Sequence, residues 1–199
     1  NNLYKFNQHH KIILNKKIPL KSGLAGGSSN AAHTIKTLNK LNSLNLSIKE
    51  MHNISLQIGS DVPFFLLGEG AELRGGRGEI LLARAPAPQA WLVLACPKLQ
   101  VETADVYQAL EASGLAPGEG GVGDPVPGES TPPPVPGTND LEAAAFRLHP
   151  ALADLAESLN AITPPGRGTK FGLSGSGGCF FSACSDSAEA HELARAASS

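Results

Sequence analysis

The chain has 199 residues, with 16 Lys+Arg against 18 Asp+Glu and a formal net charge of -2. Hydrophobic residues at 41% and charged residues at 17% are the composition of a soluble globular protein, long enough for one domain or two small ones. The near-balanced charge argues against the clustered basic face of a nucleic-acid binder, and the longest apolar runs, residues 64–67 and 91–96, are far too short to span a bilayer.

Residues 10–20 hold Ile12, Ile13, Leu14, Ile18 and Leu20 around Lys16-Lys17 and read as a strand ending at Pro19. A glycine- and serine-rich loop follows, and its Ser28-Ser29-Asn30 end supplies oxygens suited to cap a helix. That helix runs to about residue 44, with Ala31, Ala32, Ile35, Leu38 and Leu41 on one face. Ser47-Ile48-Lys49-Glu50 fits a capping box, opening a second helix to about residue 58 with Gly59 as its stop. After Ser60-Asp61-Val62-Pro63, residues 64–67 resume as a strand. Residues 71–74 and 79–82 flank Gly75-Gly76-Arg77-Gly78 as a hairpin, and residues 91–96 read as a buried strand stopped by Pro97.

Thr103 is placed to cap a helix to about residue 111. Asn139 and Asp140 open another to about residue 148, and Pro150 suits the first turn of the next. Residues 171–183 read as strand, Gly/Ser loop and strand, and residues 188–197 as a helix. This mixture makes the class α+β or α/β.

Two breaks interrupt the chain. Residues 1–70 carry eight Lys, nine Asn and no Arg, whereas the remainder carries six Arg, two Lys and two Asn. Either a domain boundary or a join between two coding sequences produces such a seam. Between residues 114 and 137, 14 of 24 positions are Gly or Pro, which supports neither helix nor central strand and predicts a mobile connection. The lack of a leader predicts a cytoplasmic protein, and Cys96, Cys179 and Cys184 are expected to be buried free thiols. The histidines His9, His10, His33, His52, His149 and His191 have no metal-ligand spacing, and His9-His10 reads as a solvated strand end.

The chemistry concentrates in the loop Gly23-Leu24-Ala25-Gly26-Gly27-Ser28-Ser29 between the first strand and the first helix. A phosphate needs several donors converging on it without side chains in the way. Glycines admit the backbone, helix-start N–H groups point at the anion, and the helix dipole adds roughly +0.5 charge. Ser28 and Ser29 add hydroxyls for phosphate oxygens or for magnesium. The chain has neither the Gly-Lys-Ser/Thr ending of a P-loop nor a Gly-x-Gly-x-x-Gly fingerprint. Asp61 is placed to accept the proton of a substrate hydroxyl, and equally to cap a local turn. A second loop, Ser174-Gly175-Ser176-Gly177-Gly178, reads either as a tight hairpin or as a close approach to substrate.

Five segments together resemble the GHMP kinase superfamily. They are Ile18-Pro19-Leu20-Lys21-Ser22-Gly23-Leu24-Ala25-Gly26-Gly27-Ser28-Ser29-Asn30-Ala31-Ala32, then Ile58-Gly59-Ser60-Asp61-Val62-Pro63-Phe64-Phe65, the hairpin from Gly70 to Gly78-Glu79-Ile80-Leu81, Asn139-Asp140-Leu141-Glu142, and Ser174-Gly175-Ser176-Gly177. The second segment is similar to the branch acting on 4-diphosphocytidyl-2-C-methyl-D-erythritol, more than to homoserine or mevalonate kinases. The resemblance implies an α+β, two-domain GHMP-kinase-like fold. Its N-terminal part, residues 1–88, would be ribosomal protein S5 domain 2-like and carry ATP binding. Its C-terminal part, residues 89–199, would be ferredoxin-like.

It implies ATP as phosphoryl donor, magnesium as its companion, and phosphorylation of the 2-hydroxyl of that small-molecule substrate, a step of isoprenoid-precursor synthesis. By the same resemblance Asp61 is the catalytic carboxylate. Pro19, Leu20, Lys21, Ser22, Gly23, Leu24, Ala25, Gly26, Gly27, Ser28 and Ser29 form the ATP loop. No magnesium ligand set and no oligomeric state is legible. The family's catalytic lysine and cytosine pocket precede this pattern and have no counterpart here, so the expectation is a partial chain with weak or absent turnover. Lys21 and Lys98 do not occupy that lysine's motif. A non-catalytic ATP-binding module and another GHMP small-molecule kinase remain the alternative readings.

Overall fold

A computed structural model describes residues 10–68, 70–76, 78–87, 89–114, 139–164 and 170–198. Of the Gly/Pro connection at 114–137, all but Gly114 lies outside the described residues, as do His9 and Arg77. The chain divides into two compact units, Asn1–Ile18 with Ala25–Ala87, and Pro19–Leu24 with Pro88–Ser199.

The first unit is built on helices α1 (Gly26–Leu41), α2 (Ile48–Leu56) and α3 (Val62–Leu67), with hairpin strands β1 (Ala71–Gly75) and β2 (Ile80–Ala85). Its core is Ala32 and Ile35 of α1, Met51 of α2, and Val62 and Leu66 of α3. The predicted capping box forms in full: Ser47 Oγ accepts from the Glu50 N–H, and Glu50 accepts from the Ser47 N–H at 2.8 Å. β1 and β2 pair antiparallel as expected, with Glu72 held between Arg74 and Arg84.

Three expectations for this unit are corrected. Residues 10–20 are not a strand, because a strand needs a partner ladder and none pairs with them among the described residues; Ile13 is 80% exposed. Residues 64–67 are the body of α3, with Pro63 in its first turn and Gly68 past its end at φ 74. A four-residue apolar run fits helix or strand equally, and the Pro-before, Gly-after punctuation decides it. The α1 helix starts at Gly26 and ends at Leu41, so Ser28, Ser29 and Asn30 lie inside its first turns and do not cap it.

The second unit carries a three-stranded antiparallel sheet, β3 (Trp91–Ala95), β5 (Phe180–Cys184) and β4 (Gly172–Leu173), in the order β3-β5-β4. Helices α4 (Thr103–Ala112), α5 (Leu141–Leu148), α6 (Pro150–Ala161) and α7 (Ser187–Ala196) complete it. Its core joins Val93, Val106, Leu110, Leu152, Leu159, Leu173, Phe180 and Leu193. Pro150 sits in the first turn of α6, and Asp186 caps α7 by accepting from the Glu189 N–H at 2.9 Å.

β3 is an edge strand. Only Val93 is buried, and Trp91, Leu92 and Leu94 are exposed, which corrects the buried-strand expectation. The thiols divide similarly: Cys179 and Cys184 are buried, but Cys96, beyond the end of β3, is exposed. Thr103 begins α4 but makes no cap; its hydroxyl meets Ser176 Oγ at 2.8 Å.

Candidate functional site

In the first unit the candidate residues gather at two helix starts. The residue before α1, Ala25, adopts φ 48, a left-handed conformation uncommon outside glycine, and this turns the chain abruptly into the helix. No side chain caps α1 and no acidic residue lies in its first turn. Within its own helix and cap, the positive end of the 16-residue α1 therefore has no side-chain group to neutralise it. Gly26 is buried, and a Cβ there would stand 2.9 Å from Ile18 Cγ2. Around Gly27 nothing lies within 4 Å of where a Cβ would be, so the helix start is open there. The hydroxyls of Ser28 and Ser29 make no hydrogen bond among the described residues.

Asp61 immediately precedes α3, whose Val62 and Leu66 pack with Ala32 and Ile35 of α1. It is exposed and makes no side-chain cap. The local turn-capping role that the sequence allowed is not used, and the carboxylate is free to meet another group.

In the second unit the segment Pro19–Leu24 is held by a distant part of the chain. Ser174 Oγ donates to the Gly23 carbonyl at 3.1 Å, and the Cys179 N–H donates to the Ser22 carbonyl at 3.0 Å. Leu24 N–H donates weakly to Ser22 Oγ at 3.4 Å. Gly23, at φ +74, is required by this approach, since a Cβ would fall 1.8 Å from the Ser174 carbonyl oxygen. Lys21 is committed elsewhere, in an ion pair with Glu102.

The structure thus brings together two Gly/Ser loops that the sequence left apart. The segment Asn139-Asp140-Leu141-Glu142, one of the five that carry the resemblance but given no role by the sequence, holds the second loop. Asn139 Nδ2 donates to the carbonyls of Leu173 at 3.0 Å and Gly175 at 2.7 Å, while the Leu173 N–H donates to Glu142 at 3.0 Å. Read locally, Asn-Asp ahead of a helix signals only capping, and the partner loop 34 positions away gives no local sign.

Among the described residues no group of three or more His, Cys, Asp or Glu is gathered as for a metal. Magnesium held chiefly by nucleotide phosphates needs no such cage, because it keeps waters and takes one or two protein oxygens. The unpartnered Ser28 and Ser29 hydroxyls fit that demand. No described helix is long and apolar enough to cross a membrane.

Helices and strands are mixed in both units, an α+β fold. The chain belongs to the GHMP kinase superfamily: the GHMP kinases N terminal domain matches residues 2–69, and GHMP kinases C terminal matches residues 135–199. A Heliobacterium modesticaldum protein named 4-diphosphocytidyl-2-C-methyl-D-erythritol kinase is 35% identical over 215 residues, covering 93% of this chain and 63% of its own. One of the same name from Macrococcus caseolyticus is 48% identical over 102 residues, covering 51% of this chain and 36% of its own.

A crystal structure titled 4-(cytidine 5'-diphospho)-2C-methyl-D-erythritol kinase matches with TM-score 0.65 and 34% identity, over 92% of this chain and 65% of that one. A homoserine kinase from Cytophaga hutchinsonii, at TM-score 0.54 and 15% identity over 92% of this chain and 62% of that one, shares the fold. The chain spans from about a third to just under two thirds of the length of these curated relatives.

Proposed function

We propose that this chain serves ATP-dependent phosphorylation of the 2-hydroxyl of 4-diphosphocytidyl-2-C-methyl-D-erythritol, a step towards isoprenoid precursors. The observation that carries the reading is the Gly23 loop, clamped by Ser174 and running into an α1 start that no side chain caps. The names of the relatives supply the acceptor. The segment from Pro19 to Ser29 binds the triphosphate, with unpaired backbone N–H groups at the α1 start as donors. Ser28 and Ser29 offer the hydroxyls that would hold magnesium, which when bound neutralises phosphate charge. Asp61 accepts the substrate's hydroxyl proton and aims its oxygen at the γ-phosphorus. Phosphoryl transfer depends chiefly on such positioning and charge stabilisation. Residues 1–88 act as the nucleotide domain and residues 89–199 as the C-terminal domain, in the cytoplasm.

Calorimetry with Mg·ATP, followed by ADP release with each candidate alcohol, tests this. The expected result is nucleotide binding, with at most weak ADP release from this chain and any release dependent on the cytidine-linked substrate. Absence of nucleotide heat from a cooperatively folded chain refutes the reading. Release driven by homoserine instead points to another kinase of the superfamily, and binding without release under any alcohol points to a non-catalytic module.

A further inference from the structure

Cys96 directly follows β3 and Cys179 directly precedes β5. The antiparallel register pairs Ala95 with Phe180, so the next rung sets Cys96 opposite Cys179. The backbone of Cys179 is engaged elsewhere: its N–H donates to the Ser22 carbonyl at 3.0 Å, and its carbonyl accepts from the Ser174 N–H at 2.9 Å. Cys179 therefore exchanges no ladder bonds with Cys96. In such a non-hydrogen-bonded pair the Cα atoms approach to about 4.5 Å and the side chains stand closest. Disulfides form across Cα separations of about 4.4–6.8 Å.

The two thiols already feel each other. Burial pushes the Cys179 thiol up to about 12, and the hydrogen bond and charge of Cys96 push the same way, against a smaller lowering by Ser22. Cys179 is 1% exposed, whereas Cys96 is open to solvent. The third thiol, Cys184, lies at the far end of β5 opposite Trp91.

We propose that Cys96 and Cys179 are a reversible disulfide site, oxidised by hydroperoxides, whose bond locks the backbone beneath Ser22. The exposed Cys96 thiolate attacks a peroxide oxygen. The O–O bond breaks, the departing oxygen takes a proton, and Cys96 becomes a sulfenic acid. Cys179 sulfur then attacks Cys96 Sγ while losing its proton; the S–S bond forms, the S–O bond breaks, and the hydroxyl leaves with that proton as water. Two thiols are oxidised and one hydroperoxide is reduced. Burial keeps Cys179 protonated at neutral pH, so the attack starts at Cys96. Because Cys179 also holds the Ser22 carbonyl, the bond acts on the loop read above as nucleotide-binding, and this consequence rests on that reading.

The test is hydrogen peroxide treatment of the reduced full chain, with non-reducing mass spectrometry, peptide mapping and thiol titration. The expected product is about 2 Da lighter, keeps one of its three thiols, yields a linked Cys96–Cys179 peptide and is reversed by dithiothreitol. Cys96→Ser abolishes the link and Cys184→Ser leaves it intact. Oxygen added to Cys96 without a link, a Cys96 dimer between chains, or a link through Cys184 overturns the proposal. Mg·ATP affinity is expected to fall at least about fivefold on oxidation and return on reduction. Equal affinity in both states overturns the lock. A reduced chain that binds no Mg·ATP instead refutes the nucleotide reading and leaves the disulfide site standing on its mass.

Discussion

Gly23→Ala puts the loop clamp to its hardest test. The added Cβ would lie 1.8 Å from the Ser174 carbonyl oxygen and 2.8 Å from the Ser174 carbonyl carbon, both backbone atoms that no rotamer change can move. To reach even 3.0 Å the two segments must separate by about 1.2 Å. That motion breaks the Ser174 Oγ bond to the Gly23 carbonyl, a net loss of about 0.5–1.5 kcal/mol. Alanine at φ +74 adds roughly 1–2 kcal/mol of its own. The variant should therefore lose about 1.5–3.5 kcal/mol from the second unit.

Trp91, the chain's one tryptophan, lies on β3 of that unit, so its fluorescence in urea reports the right transition. With a slope of about 1–3 kcal/mol/M the midpoint falls by about 0.5–3.5 M. Mg·ATP affinity falls about tenfold or more as the loop is displaced. Ser174→Ala, which removes only the hydroxyl bond, should lose about 1 kcal/mol. A Gly23→Ala protein that unfolds within about 0.5 kcal/mol of the parent would falsify the close approach on which the clamp rests.

Gly27→Ala probes the other end of the loop. Nothing lies near the new methyl, so the α1 helix gains up to about 1 kcal/mol by melting, while calorimetry shows weaker Mg·ATP binding because a side chain now covers the open helix start. Asp61→Asn keeps the shape and breaks no protein hydrogen bond. Stability stays within about 0.5 kcal/mol, and in a full-length version substrate-dependent ADP release falls about a hundredfold or more at unchanged ATP affinity; equal loss of both makes Asp61 structural. Acid should loosen α2. The Ser47 hydroxyl first, and its N–H second, hold the Glu50 carboxyl below its ordinary 4.5. A depressed acid contributes stability above its unfolded value and loses it as pH falls through the folded one. Helicity by circular dichroism is expected to drop below about pH 4.5, and Glu50→Gln removes that pH dependence.

What the sequence discloses follows the reach of each interaction. The Ser47–Glu50 box, the β1–β2 hairpin and Pro150 at the start of α6 depend on residues within a few positions of one another, and each was legible. Residues 10–20 and β3 were misjudged because strand pairing and edge position are settled by partners far along the chain. Residues 64–67 differ for another reason: Pro63 and Gly68, which decide for helix, lie outside the apolar run itself.

The candidate site divides in the same way. Its glycines, its serines and Asp61 stand plainly in the text, yet Gly23 and Ser174 are 151 positions apart and no local pattern announces their meeting. Gly23 reads locally as a turn residue. In the structure it is also a point where another backbone passes too close for any side chain, and Gly178, where a Cβ would fall 2.7 Å from the Lys21 carbonyl, is the reciprocal point. Two glycines that each look like loop punctuation therefore share one requirement, that the first loop's backbone be held against the second. If that is so, replacing either glycine by alanine should disturb the same transition by similar amounts, and the double variant should lose less than the two single losses added, because the first substitution already parts the segments.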